Sequence, residues 1–307
     1  TSSAASDVYK RQEYINMIKI KLKKNAKKVD IFLLDYIRKQ KKSLLVSPMK
    51  YGLISGGKKI RSSIILDTAK LFKIKEKKLL HICAAVECIH SYSLIHDDLP
   101  CMDNDSLRRG KPSTHKKYGE ATAVLAGNSL LTLAFEIISD QKNPISIKQK
   151  NEIIALLANY SGHTGIAGGQ ELDLKFENKR KKFKQIIDMQ RKKTGKLFNF
   201  CIQSVAVVAN KNKKEKIFFG KLGEEIGLLF QLADDFLDVK GSKKLAGKPI
   251  KKDWKKGKCT LINLIGYKKS IKYADNLKKK ILLKLKKHGK KADDLKKTIK
   301  FIQERNF

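Results

Sequence analysis

The 307 residues hold little that would staple a small fold: five cysteines, five prolines and a single tryptophan. Cys83, Cys88, Cys101, Cys201 and Cys259 are odd in number and form no Cys-x-x-Cys pair. That excludes a disulfide framework or a zinc ribbon and reads as reduced, mostly buried thiols of a cytoplasmic protein. The longest stretch free of Asp, Glu, Lys and Arg, Ile153 to Gln170, carries Asn, His and several Gly, so no membrane span is expected. No secretory apolar run is evident near the N-terminus. Aromatic residues are 7% and do not interleave with basic ones in a stacking motif, which weakens a nucleic-acid reading. No internal repeat and no Gly/Ser linker divides the chain.

What is present is a core and a great excess of lysine. Hydrophobic residues are 41% and charged residues 32%, enough apolar surface for a sizeable interior. The net charge is +38, which taken alone suggests an anionic partner. Yet only eight of the 68 basic residues are Arg, and Lys, Ile, Asn and Phe are plentiful while Pro is scarce. AT-rich coding, filling solvated positions with Lys, explains that balance without a polyanion. Residues 1–12, TSSAASDVYKRQ, differ in texture from the Lys/Ile-rich chain after them and read as a non-native or truncated N-terminal segment.

From Glu13 on, apolar residues recur at helical spacing: Ile15-Ile18-Leu22, Ile31-Leu34-Tyr36-Ile37, Leu79-Ile82-Val86-Ile89 and Ile217-Leu222-Ile226-Leu229. Period-two alternation is absent, so no sheet is expected. Breaks are predicted at Ser47-Pro48, Ser55-Gly57, Pro100, Gly110-Pro112, Asn143-Pro144, Gly168-Gly169 and Gly241-Gly257. The expectation is an all-α protein, a single large helical domain over 13–307 with about ten or more helices.

In so basic a chain, clustered carboxylates stand out. One cluster is Asp97, Asp98, Asp103 and Asp105; the other is Asp234, Asp235 and Asp238. Asp234 and Asp238 fall one helical turn apart, where like charges repel unless a cation offsets them. Oxygen ligands without cysteine suit Mg²⁺, which is usually shared with substrate phosphates. Each cluster alone also suits a surface acidic patch; both together, with the basic residues, do not. Gly56-Gly57-Lys58-Lys59-Ile60-Arg61 sets cations behind a glycine pair, Arg108-Arg109 follows the first cluster, and Lys193-Thr194-Gly195, Lys248 and Lys258 add more. Three of the eight Arg fall here, where a planar fork matches phosphate and Lys would not replace it.

Together, Asp-Asp-x-x-x-x-Asp, Asp-Asp-x-x-Asp, Gly-Gly-Lys-x-x-Arg and Lys-Thr-Gly resemble the trans-isoprenyl diphosphate synthases, most closely the bacterial-type farnesyl diphosphate synthases, over about residues 30 to 265. Ser62 stands where the family usually has Pro, and Leu261-Ile262 replace a common Tyr-Pro. The resemblance implies an isoprenoid-synthase fold around a central cavity, a cytoplasmic homodimer (or a plastid-type enzyme if a targeting segment lies upstream), and chain elongation of an allylic diphosphate by isopentenyl diphosphate. It implies about three Mg²⁺ held by Asp97, Asp98, Asp103, Asp234, Asp235 and Asp238. Arg108, Lys193 and Lys258, with Lys248, would balance the allylic diphosphate. Gly57, Lys58, Arg61, His90 and Arg109 would hold isopentenyl diphosphate. Thr194 and Gln231 would offer oxygens to the allylic cation, with Phe230 beside it. Released pyrophosphate would take the proton, so no protein base is assigned.

Gln170 and Asp173 match a further family motif near the pocket. His96 reads as a packed helix residue rather than a ligand. Tyr92 and Ser93 precede Asp97 by five and four residues, about 6–7.5 Å deeper along a helix. Bulky Tyr92 would cap a growing apolar tail at C15. The alternatives are a geranyl or geranylgeranyl diphosphate synthase, a terpene cyclase, and a non-catalytic polyanion-binding helical protein.

Overall fold

The computed structural model describes residues 2–244 and 258–304, and these are helical nearly throughout, with more than ten helices. The chain divides into two compact units, Thr1–Ala69 with Lys73–Leu157, and Lys70–Phe72 with Ala158–Phe307.

The first unit is built from α1 (Ser2–Arg38), α2 (Val46–Leu53), α3 (Ile60–Leu71), α4 (Leu80–Asp97), α5 (Thr114–Tyr118), α6 (Glu120–Ser139) and α7 (Ile147–Ser161), the last turns of α3 and α7 belonging to the second unit. α4 is apolar on almost every face: Ile82 to Val86 and Cys88-Ile89 are fully buried, the pattern of a central helix rather than a surface one. It packs along α6 and also meets α1 and α2. By length and composition alone Glu76–Asp97 and Glu120–Ser139 could cross a membrane. The first is 72% buried inside the protein, and the two pack on each other as a core pair. α1 buries Ile18, Leu22, Val29, Leu33 and Ile37 along one stripe.

The second unit contains α8 (Ile166–Phe176), α9 (Phe183–Gln190), a π-helical turn (Arg191–Gly195), α10 (Lys196–Val208), α11 (Lys213–Lys244), α12 (Leu261–Ile265), α13 (Tyr267–Lys286) and α14 (Asp293–Glu304). α10 and α11 form its main pair. α13 shows how a lysine-rich stretch folds. Ser270, Ala274, Leu277, Ile281 and Leu285 recur at spacings of three and four and are buried, while lysines coat the rest.

Several expectations need correction. Pro48 does not break the chain; it is the third residue of α2, where an N–H would have no helical acceptor. Gly168 and Gly169 lie inside α8, for a packing reason given below. Ile31 and Ile217 are 58% and 44% exposed, so their stripes sit rotated from the buried ones. A minimal sheet exists: β1 (Leu107–Arg108) pairs antiparallel with β2 (Lys111–Pro112). Its turn residues Arg109 and Gly110 have φ of 54° and 76°, the doubly left-handed pair that closes a two-residue hairpin.

Candidate active site

In the first unit the cluster following α4 is folded by its own backbone. The Asp103 N–H donates to Asp97 O at 2.9 Å and the Asp105 N–H to Asp98 O at 3.1 Å, so the loop doubles back on the helix end. The four carboxylates then separate by environment. Asp98 is buried and accepts a fork from Arg108, with Nε at 3.0 and 3.2 Å and Nη2 closing the pair. Arg108 Nη2 also lies 3.7 Å from Asp105. Burial pushes the Asp98 carboxyl above its ordinary value, against the pull of Arg108. Burial would lower Arg108, but Asp98, Asp105 and Asp97 outweigh it and hold the guanidinium charge firmly. Asp97 and Asp103 remain half-exposed.

The hairpin turns Arg109 the other way. Its Nη1 donates to Gly56 O and to Ser55 Oγ at 3.2 Å. Gly57 has φ of 110°, and a Cβ there would sit 2.8 Å from the Arg109 guanidinium carbon. Only glycine allows that turn and that contact together. Lys58 and Gly57 line a cleft of about 940 Å³ along α1, with Ile20, Leu22, Ile31 and Ile54. Lys59 turns inward and lies 3.1 Å from the Asp30 carboxylate. His90, two turns before the end of α4, is held well below its ordinary value by burial and then by the charges of Arg61, Arg109, Lys59 and Arg108. That direction favours the neutral imidazole. Tyr92 is buried edge-on against His96, 5.7 Å between ring centres. Burial, then Asp97, pushes its hydroxyl up to about 12. Ser93 Oγ donates back to His90 O at 3.0 Å. His96 bonds Val124 O of α6 at 3.1 Å, as a packed helix residue would.

In the second unit the π turn carries Lys193 and Thr194. Such a turn widens a helix locally and re-aims its side chains. Thr194 Oγ1 donates to Gln231 Oε1 at 2.8 Å, and Gln231 Nε2 donates to Asp235 at 2.9 Å. Gln190 Nε2 donates to the other Asp235 oxygen at 3.1 Å. Asp235 is thus buried with both oxygens engaged, while Asp234 is half-exposed and Asp238 exposed. Lys193 and Lys258 converge on one carboxylate, Asp173 Oδ2, at 2.6 and 2.9 Å, and Lys258 also reaches Glu177 at 2.8 Å. Burial would raise Asp173, but the two lysines outweigh it and hold its carboxyl below the usual range. A Cβ on Gly169 would lie 2.1 Å from the Lys193 backbone nitrogen, so the glycine serves close packing of α8 on the π turn. Gln170, beside it, is buried. Phe230 packs on Phe198, 5.1 Å between ring centres.

Residues 42–302 match the polyprenyl synthetase family. The chain belongs to that family. It is 43% identical to the farnesyl diphosphate synthase of Escherichia coli over 235 residues, 76% of this chain and 79% of that one. Its fold is similar to that of an FPP/GFPP synthase from Zymomonas mobilis, with a TM-score of 0.84, 35% identity, and 94% and 99% of the two chains covered. It is also similar to a Helicobacter pylori geranyltransferase solved as a complex with magnesium and isoprenyl diphosphate. There the TM-score is 0.77 with 29% identity over 93% and 96% of the chains. The resemblance drawn from the motifs is borne out, and with it the enzyme class of short-chain trans-prenyltransferases and the all-α fold.

Carboxylates predominate at the two acidic clusters, with Cys101 inside the first. Among the described residues no three His, Cys, Asp or Glu side chains gather closely enough to form a ready-made metal cage. Half-exposed carboxylates such as Asp97, Asp103 and Asp234 suit Mg²⁺, which takes one or two of them, keeps waters, and completes its shell with phosphate. Lys248 lies outside the described residues. Sequence reasoning overlooked Asp30 and Glu87, buried or half-buried carboxylates near the cations around His90, and Gln190, which holds Asp235. Glu87 had a legible signal: a lone acid within the apolar run Cys83–Ile89, one turn from His90.

Proposed function

We propose that this polyprenyl synthetase condenses dimethylallyl and geranyl diphosphate with isopentenyl diphosphate to make farnesyl diphosphate, and that residues 13–307 act as one catalytic domain. The family match running from 42 to 302 supports the second statement. The observation that carries the first is that cations gather in two separately built groups. Arg61, Arg109 and Lys59 act on His90 in one unit, and Lys193 and Lys258 meet at Asp173 in the other. A reaction between two diphosphates needs two such groups, whereas a cyclase needs one.

In the reaction the allylic C–O bond breaks and its electron pair leaves with the diphosphate. Lys193 and Lys258, with Arg108 and Lys248, favour the charge that develops on that leaving group. Gly57, Lys58, Arg61, His90 and Arg109 hold isopentenyl diphosphate so that its double bond meets the allylic carbon. Thr194 and Gln231 present oxygens to the cation. The new cation then loses a proton to the released pyrophosphate, forming the product double bond. Asp97, Asp98 and Asp103, with Asp234, Asp235 and Asp238, would hold about three Mg²⁺, whose positive charge would stabilise the departing diphosphate. The half-exposed α6, with Val124 and Leu125 at 39% and 52%, supports pairing as a homodimer.

The test is incubation with dimethylallyl and isopentenyl diphosphates, with Mg²⁺ or with EDTA, followed by product analysis. A C15 product that disappears in EDTA is expected. A C10 or C20 product would overturn the farnesyl assignment, and the absence of any condensation the whole reading.

A further inference from the structure

Ser62 is the third residue of α3, where a backbone N–H has no carbonyl within its own helix. It is fully buried, and its N–H points at Glu87 Oε1 from 3.3 Å. Its hydroxyl lies 2.7 Å from the same oxygen and 3.3 Å from Cys83 O. A hydroxyl has one proton, and the shorter contact to a carboxylate takes it. Both donors therefore meet on one oxygen of a carboxylate that is only 4% exposed.

Glu87 lies one turn before His90 on α4, so the two project on the same side of the helix. Its charge acts on Arg109, opposing the effects of burial and of Arg108 on that guanidinium. Arg109 is itself placed by a left-handed backbone, by Gly56 O and by the glycine surface of Gly57. A buried carboxylate is tolerable only when hydrogen-bonded and charge-compensated, and Ser62 supplies the first condition.

We infer that Ser62 is a positioning residue for isopentenyl diphosphate: it fixes Glu87, which steadies Arg109 before the anion arrives. The inference rests on the reading that this cation group binds isopentenyl diphosphate. It gives a role to the departure at position 62. A proline there would fit the first turn of the helix but would offer Glu87 neither donor.

The experiment is steady-state kinetics with isopentenyl diphosphate varied, on Ser62→Ala, Ser62→Pro, Ser62→Thr, Glu87→Gln and Arg109→Ala, alongside thermal melting. Ser62→Ala is expected to raise KM for isopentenyl diphosphate about five- to tenfold, in line with loss of a hydrogen bond to a charged group. Its kcat should stay within about twofold and KM for the allylic substrate should not move. Ser62→Pro and Glu87→Gln should raise the same KM, and Ser62→Thr, which keeps the hydroxyl, should restore it. An unchanged KM in Ser62→Ala beside a raised one in Arg109→Ala would overturn the role of Ser62 alone. If Arg109→Ala also leaves that KM unmoved, the substrate-site reading falls and takes this inference with it. A loss of kcat and of both KM values in step with the melting temperature, unrescued by Thr, would reduce Ser62 to packing.

Discussion

Within each aspartate motif, neighbouring residues do different work. Asp98 and Asp235 are buried and hydrogen-bonded to protein partners, Arg108 in one case and Gln190 with Gln231 in the other. Asp97 and Asp234 are half-exposed. Asp97→Ala and Asp234→Ala should therefore lower turnover by at least about 100-fold while circular dichroism and melting stay near those of the parent. Near-normal turnover in either would refute the metal assignment. Asp98→Ala should cost stability as well, about 1–3 kcal/mol, because it strips the partner from a partly buried guanidinium; denaturant unfolding reads this directly. Tyr92→Ala should lengthen the product beyond C15, as chromatography of the extracted prenyl alcohols would show. The identities of these residues were plain in the sequence. Which member of each pair turned inward was not, because one step along a helix rotates a side chain by about 100° and only the neighbouring elements decide which side is buried.

Local devices position those side chains at the scale of elements. The Arg109-Gly110 hairpin sends two adjacent arginines to different partners, and the π turn places Lys193 and Thr194 against Asp173 and Gln231. Neither has a hydrophobic period, so pattern reading registers only a break at Gly110 and nothing at Lys193. Gly168-Gly169 illustrates the converse error. Glycines suggest a turn, yet here α8 runs through them because Gly169 must admit the Lys193 backbone. Gly169→Ala should thus force the π turn away, destabilising the protein by about 1–3 kcal/mol and lowering turnover together. An alanine variant with unchanged melting and activity would show the contact to be slack.

For the whole molecule, the +38 charge first points to nucleic acid and ends as a lysine coat over ordinary amphipathic helices such as α13. The use predicted for it is long-range attraction of diphosphates. Accordingly kcat/KM should fall several-fold as salt rises from about 20 to about 300 mM, over which the screening length shrinks from about 20 Å to below 10 Å; a flat profile would remove that role. The sequence by itself determined the helical class and the family, and nominated the acidic and basic residues of the proposed site. Those properties are written in residue type, period and spacing along the chain. The tertiary structure alone decided that Asp173 joins Lys193 to Lys258, that Asp30 meets Lys59, and that Ser62 holds Glu87. Each of these contacts joins residues 20 to 85 positions apart. Long-range pairing of that kind follows from how buried faces pack, and a buried charge acquires its partner only when they do.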